Sequence, residues 1–139
     1  MNTDNPSKLI RKSLYVMMVG FVYYTAYSCN SISSNPIEIS VEEFLRQYDS
    51  KSAVLLDIRT RQEYERGHLP GAMLIDMYAP DAGMKLMELD RSGRYYVYCH
   101  SGLRSRSVVK RMRDKGFVDS YNIHGGMLHL ARAGVTFTK

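Results

Sequence analysis

The sequence predicts an α/β fold in which a mostly parallel sheet of about five strands carries helices on both faces. Short apolar or alternating segments recur along the chain, and segments with helical spacing separate them. The run Ala53–Leu56 is apolar at every position, which is typical of a strand buried on both faces of a parallel sheet. The chain has 139 residues, enough for one domain, and residues 37–139 form its expected globular part.

The expected strands lie, in order, at residues 37–39, 53–56, 73–75, 95–98 and 120–123. The expected helices follow Ser40 and cover residues 62–66, 81–89, 105–115 and 125–133. Every connection between successive strands therefore contains a helical segment, which is the pattern that parallel pairing requires.

Cap and turn residues mark where these helices begin and end. Ser40 is the expected N-cap of the first helix, and Glu43 three residues later completes a capping box. Gly67 and Gly116 follow the second and fourth helices, at the position where a left-handed residue is common. One face of the fourth helix carries Ser105, Val108, Val109 and Met112. We expect that face to pack on the sheet.

The first 28 residues are interpreted as a signal segment that precedes the domain. A basic start is followed by thirteen mostly apolar residues, 14–26, too few to span about 30 Å of hydrocarbon. The sequence Ala26-Tyr27-Ser28-Cys29 resembles a bacterial lipoprotein signal, which implies cleavage before a lipidated Cys29 and an exported protein, periplasmic or membrane-anchored. Residues 29–36 then form a flexible linker. An ordinary signal, an uncleaved anchor and a buried helix are the alternatives.

The formal net charge is +5, and the excess is local. Six basic residues lie close together in and just before the fourth expected helix: Arg104, Arg106, Lys110, Arg111, Arg113 and Lys115. This cluster is either a solvated helix face or a field that attracts small anions. The cluster is short and has no aromatic residues between its charges, which argues against nucleic acid as a partner. Contact with a membrane is expected only through the N-terminal segment.

The chain has two cysteines, Cys29 and Cys99, and neither lies in a CxxC pair. No group of cysteines and histidines has zinc-ligand spacing, so we expect no metal site. One disulfide between the two cysteines is formally open.

Cys99 lies at the carboxyl end of an expected strand and just before an expected helix, which is where ligands bind in open α/β sheets. The unpaired amides and the dipole of a helix N-terminus favour a thiolate over a thiol and lower the pKa of a cysteine. Gly102 allows the loop to curl with a positive φ, and Arg104 adds a permanent cation. The alternative is an inert buried cysteine.

Three segments with this loop at their centre carry a family resemblance. They are Leu55-Leu56-Asp57-Ile58-Arg59 with Glu63-Tyr64 and Gly67-His68-Leu69-Pro70-Gly71-Ala72, then Cys99-His100-Ser101-Gly102-Leu103-Arg104-Ser105, then Gly116-Phe117 with Gly125-Gly126-Met127. In this order and spacing, residues 37–135 resemble the rhodanese-like family of sulfurtransferases. That family often has a tryptophan in the last helix, near Leu130, and this chain has none.

The resemblance implies a three-layer α/β/α domain in which Cys99 is the catalytic nucleophile and carries a persulfide. It also implies that the substrate and the persulfide contact the loop residues His100, Ser101, Gly102, Leu103, Arg104 and Ser105. The backbone amides of these residues would surround the sulfur, and Arg104 would face the substrate. No cofactor is required.

Three residues within these segments have competing interpretations. Arg59 follows a strand two residues after Asp57, which favours an ion pair that fixes the loop, with contact to an anionic substrate as the alternative. His68, in a tight turn, is expected to be a hydrogen-bonded structural residue rather than a proton shuttle. His100 lies inside the loop and either acts on the donor or points to solvent.

The predicted function is transfer of a sulfane sulfur from a small anionic donor such as thiosulfate to cyanide, a small thiol or a protein thiol. A persulfide carrier with little turnover is the main alternative. A cysteine-loop phosphatase or arsenate reductase is less favoured. Four residues separate Cys99 from Arg104, one fewer than in those enzymes, and a tetrahedral oxyanion needs the wider loop.

Overall fold

The computed structural model describes residues 36–139. The expectations for the signal segment 1–28, for Cys29 and for the linker up to residue 35 fall outside these residues and stay predictions. No helix between residues 36 and 139 has the length and apolar character needed to cross a bilayer.

One five-stranded sheet forms the centre of the domain. Its strands are β1 (Glu38–Ile39), β2 (Ala53–Asp57), β3 (Met73–Leu74), β4 (Arg94–Tyr98) and β5 (Ser120–Ile123). They lie in the order β1-β5-β4-β2-β3, and every neighbouring pair is parallel. The predicted α/β fold with a parallel sheet of about five strands is therefore confirmed.

Five helices cover the two faces of the sheet. They are α1 (Val41–Gln47), α2 (Arg61–Glu65), α3 (Ala82–Met87), α4 (Leu103–Asp114) and α5 (Gly126–Arg132). Apolar residues of α3 and α4 pack in one buried cluster, and those of α1 and α5 pack in another. Strand β4 separates the two clusters because its alternate side chains point to opposite faces. Tyr95 and Val97 join the first cluster, whereas Tyr96 and Tyr98 join the second.

Aromatic side chains and Leu130 fill the layer beneath α1 and α5. The rings of Phe44 and Tyr96 meet edge to face with centroids 5.2 Å apart, and Tyr48 packs against both. Leu130, in the helix where the family often has tryptophan, is fully buried in the same cluster. The absence of tryptophan is thus accommodated by leucine and tyrosine packing.

One predicted helix start and one predicted capping box need correction. Helix α4 begins at Leu103, two residues before the predicted Ser105, because Gly102 adopts a φ of 85° and serves as the N-cap. At α1 the Ser40 hydroxyl accepts a hydrogen bond from the Glu43 amide at 3.1 Å, as predicted. The carboxylate of Glu43, however, contacts Arg46 and Gln47 rather than completing a capping box.

The C-terminal segment is tied to the turn after α2, which the sequence did not predict. The backbones of His68 and Thr138 exchange two hydrogen bonds of 2.9 Å and form an isolated antiparallel bridge. This pairing places Phe137, one residue earlier, against the domain.

Candidate active site

Cys99 follows β4 directly, at the carboxyl end of the central strand, and α4 begins four residues later at Leu103. The loop between them carries the predicted site, and Gly102 has the predicted positive φ. The thiol of Cys99 is free and buried. A helix N-terminus that faces this sulfur offers it unpaired amide groups.

Several hydrogen-bond donors converge on the sulfur of Cys99. The Gly102 amide donates to Sγ at 3.2 Å, and the Ser105 hydroxyl lies 3.4 Å from the same atom. Burial raises the pKa of the thiol, but bonds from the Ser105 hydroxyl and from the amides of Ser105, Ser101 and Gly102 outweigh it. The pKa of Cys99 therefore lies below its ordinary value, which favours the thiolate form, and its role as a nucleophile stays a prediction.

Helix α5 holds this loop in position through its first amides. The Met127 amide donates to the Cys99 carbonyl at 2.9 Å, and the Leu128 amide donates to the His100 carbonyl at 3.1 Å. The C=O and N–H groups of a planar trans peptide point in opposite directions. Fixing the His100 carbonyl on α5 therefore aims the Ser101 amide away from α5, and this amide is one of the donors that lower the Cys99 pKa.

The close contact between the loop and α5 requires glycine on both sides. A Cβ on Gly102 would lie 2.8 Å from the Gly125 nitrogen, and a Cβ on Gly126 would lie 2.2 Å from the Cys99 carbonyl oxygen. The sequence identified Gly125 and Gly126 as the start of a helix and as part of the family resemblance, but not as a contact with the Cys99 loop. The adjacent glycine pair was the available signal that two backbone segments approach closely here.

Arg104 makes a two-pronged ion pair with Glu63 of α2. The guanidinium Nη2 lies 2.8 Å from Glu63 Oε1, and Nη1 lies 3.1 Å from Oε2. This pairing holds the pKa of Glu63 at about 2, and raises that of Arg104 above its ordinary value. The Arg104 guanidinium also lies over the ring of Tyr78. Contact between Arg104 and a substrate stays a prediction.

Glu63 is in turn fixed by the N-terminus of α2. Its carboxylate accepts 3.0 Å hydrogen bonds from the Thr60 amide and hydroxyl, and the Thr60 hydroxyl accepts one from the Glu63 amide. This is a complete capping box, and it was missed in the sequence although Thr60 and Glu63 have the required spacing. The cap of α2 therefore also positions the cation beside Cys99.

Arg59 forms the buried ion pair that the sequence favoured. Its Nη2 lies 2.6 Å from Asp57 Oδ2, and its Nε lies 2.9 Å from Oδ1. The same Nη2 donates to the Gly67 carbonyl at 2.8 Å, which joins the end of β2 to the turn after α2. Arg59 thus fixes the loop, and its contact with a substrate stays a prediction.

The remaining predicted residues differ in accessibility. His100, Ser101 and Leu103 are exposed at the outer side of the loop, whereas Gly102 and Ser105 are buried beside the sulfur. His68 stacks on the ring of Tyr64 with centroids 3.6 Å apart. The Nδ1 atom of His68 lies 3.1 Å from the Tyr64 carbonyl oxygen, as the structural interpretation expects. Within residues 36–139, no three His, Cys, Asp or Glu side chains are grouped to hold a metal ion.

Comparison with known proteins places this site in a family. The model of the Rhodanese-like domain matches residues 40–133. The putative sulfur carrier protein YrkF of Bacillus subtilis is 35% identical over 102 residues, which cover 73% of this chain and 54% of YrkF. The chain therefore spans about half the length of that relative. A protein of Allochromatium vinosum named sulfurtransferase is 29% identical over 90 residues, 65% of this chain and 82% of that protein.

A solved structure shows the same fold. A rhodanese-related protein from Thermoplasma volcanium has a TM-score of 0.65 and 21% sequence identity, and the match covers 74% of this chain and 98% of that one. The family model spans the Cys99 loop, the Glu63 cap and the Gly125-Gly126 pair alike. The chain belongs to the rhodanese-like domain family.

Proposed function

We propose that this protein is a sulfurtransferase that moves a sulfane sulfur through a persulfide on Cys99. The convergence of the Ser101, Gly102 and Ser105 donors on one buried sulfur carries the proposal. These donors stabilise a negative charge at a fixed point without any rearrangement, as the site of an anionic sulfur intermediate requires.

The cycle is a double displacement, in which the outer sulfur of the donor moves first to Cys99 and then from Cys99 to the acceptor. The Cys99 thiolate attacks the outer sulfur of a donor such as thiosulfate, and sulfite leaves with the electron pair of the broken S–S bond. An acceptor nucleophile, cyanide or a thiolate, then attacks the terminal sulfur of the persulfide, and Cys99 leaves as a thiolate. Covalent catalysis of this kind divides one difficult transfer into two easier ones, and no cofactor takes part.

The mass of the intact protein after treatment with thiosulfate tests the first half of the cycle. We expect a gain of one sulfur atom on the peptide that contains Cys99. The Cys99→Ser variant is expected to gain none and to lose turnover. A wild-type protein that gains no sulfur, or a serine variant that still transfers it, would contradict the assignment of the nucleophile.

A persulfide carrier with little turnover is the second candidate, and the similarity to the putative sulfur carrier YrkF favours it. A carrier needs the same loop, so the two functions differ only in the second step. Rapid formation of thiocyanate from cyanide supports an enzyme. Persulfide formation without release to small acceptors supports a carrier that delivers sulfur to a protein thiol.

A phosphatase or arsenate reductase is less favoured. Only four residues separate Cys99 from Arg104, one fewer than in such enzymes, and a tetrahedral oxyanion needs the wider loop. Hydrolysis of an aryl phosphate faster than any sulfur transfer would reverse this preference.

Export and attachment of lipid at Cys29 are also proposals, supported by the signal-like sequence before it. The intact mass of protein purified from its own cells tests them. An N-terminal peptide that begins at a lipid-bearing Cys29 supports the proposal, and an unmodified peptide that begins at Met1 contradicts it.

A further inference from the structure

A cleft of about 680 Å³ opens beside the Cys99 loop, and no step proposed above uses it. Its lining includes Arg66, His100, Met127, Leu128, Arg132 and Phe137. Cavities of this size hold organic molecules of drug-like dimensions. Thiosulfate and cyanide, with only a few atoms each, would leave most of the cleft empty.

The floor of the cleft is apolar and is rigidly connected to the loop. Met127 and Leu128 contribute side chains to the lining, and their backbone amides hold the carbonyls of Cys99 and His100. Phe137 lines another part of the cleft and is placed there by the pairing of Thr138 with His68. Leu128 is 43% exposed, so a ligand in the cleft would remove an apolar surface from water.

The rim of the cleft carries an excess of positive charge. Arg66 and Arg132 form no ion pair with any residue between 36 and 139. Glu63, the acidic residue in the lining, forms an ion pair with Arg104. Arg59, which also lines the cleft, forms an ion pair with Asp57. The two unpaired guanidinium groups therefore favour an anion above the apolar floor.

We propose that this cleft binds an organic thiol that joins an apolar body to an anionic group, and that this thiol accepts the sulfur from Cys99. The apolar body lies on Met127, Leu128 and Phe137, while the anionic group pairs with Arg66 and Arg132. His100, which belongs to both the cleft and the loop, marks the side from which the thiol reaches the persulfide. The acceptor role rests on the proposed sulfurtransferase function, whereas the binding of such a ligand does not.

The transfer step balances without an outside oxidant or reductant. The thiol of the ligand gives its proton to the terminal sulfur of the Cys99 persulfide, and the resulting thiolate attacks that sulfur and forms a new S–S bond. The S–S bond to Cys99 breaks, its electron pair stays on Cys99 Sγ, and the proton stays on the transferred sulfur. The products are the Cys99 thiolate and the persulfide of the ligand.

Two probes that differ only in charge test the proposal on the full-length protein. 4-Mercaptophenylacetate has a thiol, an aromatic body and a carboxylate, and 4-mercaptophenylacetamide is its neutral counterpart. The Arg66→Gln/Arg132→Gln double variant removes the rim charges. The matched control is the Lys110→Gln/Arg111→Gln double variant, made together with its two single variants, which removes two charges from the exposed side of α4.

We expect the carboxylate probe to have the higher kcat/KM with the wild-type protein. The ratio of kcat/KM for the carboxylate over the amide should fall about fivefold or more in the double variant, through KM, because two exposed charges are lost. The control variants should keep the wild-type ratio. Equal kcat/KM for the two probes with the wild-type protein, or a ratio that the double variant leaves unchanged, would overturn the proposal.

A binding measurement separates this inference from the proposed function. Amide chemical shifts of the full-length Cys99→Ser protein, titrated with 4-mercaptophenylacetate, report occupancy without any sulfur chemistry. Shifts centred on Met127 and Leu128, weakened by the double substitution, support the cleft even if no persulfide forms with thiosulfate. A persulfide that forms while no shifts appear at these amides would refute the cleft and leave the sulfurtransferase proposal standing.

Discussion

At Cys99, burial and hydrogen bonding act in opposite directions on one sulfur atom. Removing a thiolate from water raises its pKa, and only donors fixed in place reverse that effect. Ser105 contributes both a hydroxyl and an amide, so it is the largest source of donors to Sγ. The hydroxyl lies 3.4 Å from Sγ and 3.2 Å from the Gly102 carbonyl oxygen, and a change to alanine removes it while the Ser105 amide stays in place.

Replacing Ser105 with alanine should raise the pKa of Cys99, because it removes a hydrogen bond that stabilises the charged thiolate. The rate of alkylation of Cys99 as a function of pH measures this change. Ser107→Ala is the matched control, because the Ser107 hydroxyl lies near the Leu103 carbonyl of the same helix and is exposed. Equal pKa values in the two variants would show that the Ser105 hydroxyl does not stabilise the thiolate.

Glu63 makes stability depend on pH in the acidic range. Arg104 lowers its pKa from 4.5 to about 2, so the pair stabilises the folded state fully above pH 4.5 and loses this effect as the pH falls toward 2. Glu63→Gln should therefore lower the free energy of unfolding by about 1 kcal/mol at neutral pH. The difference in this free energy between the variant and the wild type should shrink as the pH falls from 4.5 toward 2.

Urea unfolding at a series of pH values measures this difference. Glu65→Gln is the control, since Glu65 is exposed and lies 4.0 Å from Arg61. A loss of unfolding free energy in Glu63→Gln that stays constant from neutral pH down to about 2 would contradict the stabilising role of the Glu63–Arg104 pair.

Between elements, the contact of α5 with the Cys99 loop determines where the loop amides point. Helix α5 is only seven residues long, so its position comes from packing through Leu130 and not from intrinsic helix stability. The amides of Met127 and Leu128 reach the loop only because Gly126 has no side chain.

Gly126→Ala should destabilise the fold by about 2–4 kcal/mol, because a left-handed alanine is strained and its Cβ overlaps the Cys99 carbonyl. Gly134→Ala is the control: its φ is +77°, but nothing lies within 4 Å of the added Cβ. The control should lower the free energy of unfolding by about 1 kcal/mol, because it introduces backbone strain but no steric overlap. Urea unfolding gives both values, and equal losses would show that the close approach of α5 to the loop is not what requires glycine.

The buried side chain of Leu130 is expected to anchor α5 to the rest of the domain. Leu130→Ala should lower the free energy of unfolding by about 2–5 kcal/mol, since the side chain is fully buried. Leu45→Ala, at a position that is 50% exposed on α1, should cost much less. Thermal or urea unfolding distinguishes the two, and a small loss at Leu130 would mean that α5 is not anchored by this layer.

For the molecule as a whole, sequence reasoning worked where the signal is local. The apolar run of β2, the helical spacing of α4 and the order strand, cysteine, glycine, helix around Cys99 are all contained within a few neighbouring residues. They predicted the sheet, the place of Cys99 between β4 and α4, and the positive φ of Gly102. Cap geometry, such as the start of α4, was less accurate because it depends on the folded loop.

The features that sequence reasoning missed depend on contacts between distant segments. Glu63 and Arg104 are 41 residues apart, and only the pairing of β2 beside β4 brings them together. The need for glycine at position 126 follows from the approach of α5 to the loop, and the cleft needs α5 and the C-terminal segment in their folded positions. Periodicity within one element contains no information about such contacts.

The pH titration of the Cys99 thiol in the full-length protein tests the central claim most directly. Alkylation rates of the Cys99-containing peptide, quantified by mass spectrometry, follow this thiol separately from Cys29. The account predicts a pKa clearly below the value of about 8.5 for a free cysteine, with reactivity lost as the pH falls through that lowered pKa. A pKa at or above the free value would mean that the loop amides do not hold a thiolate, and would contradict the account.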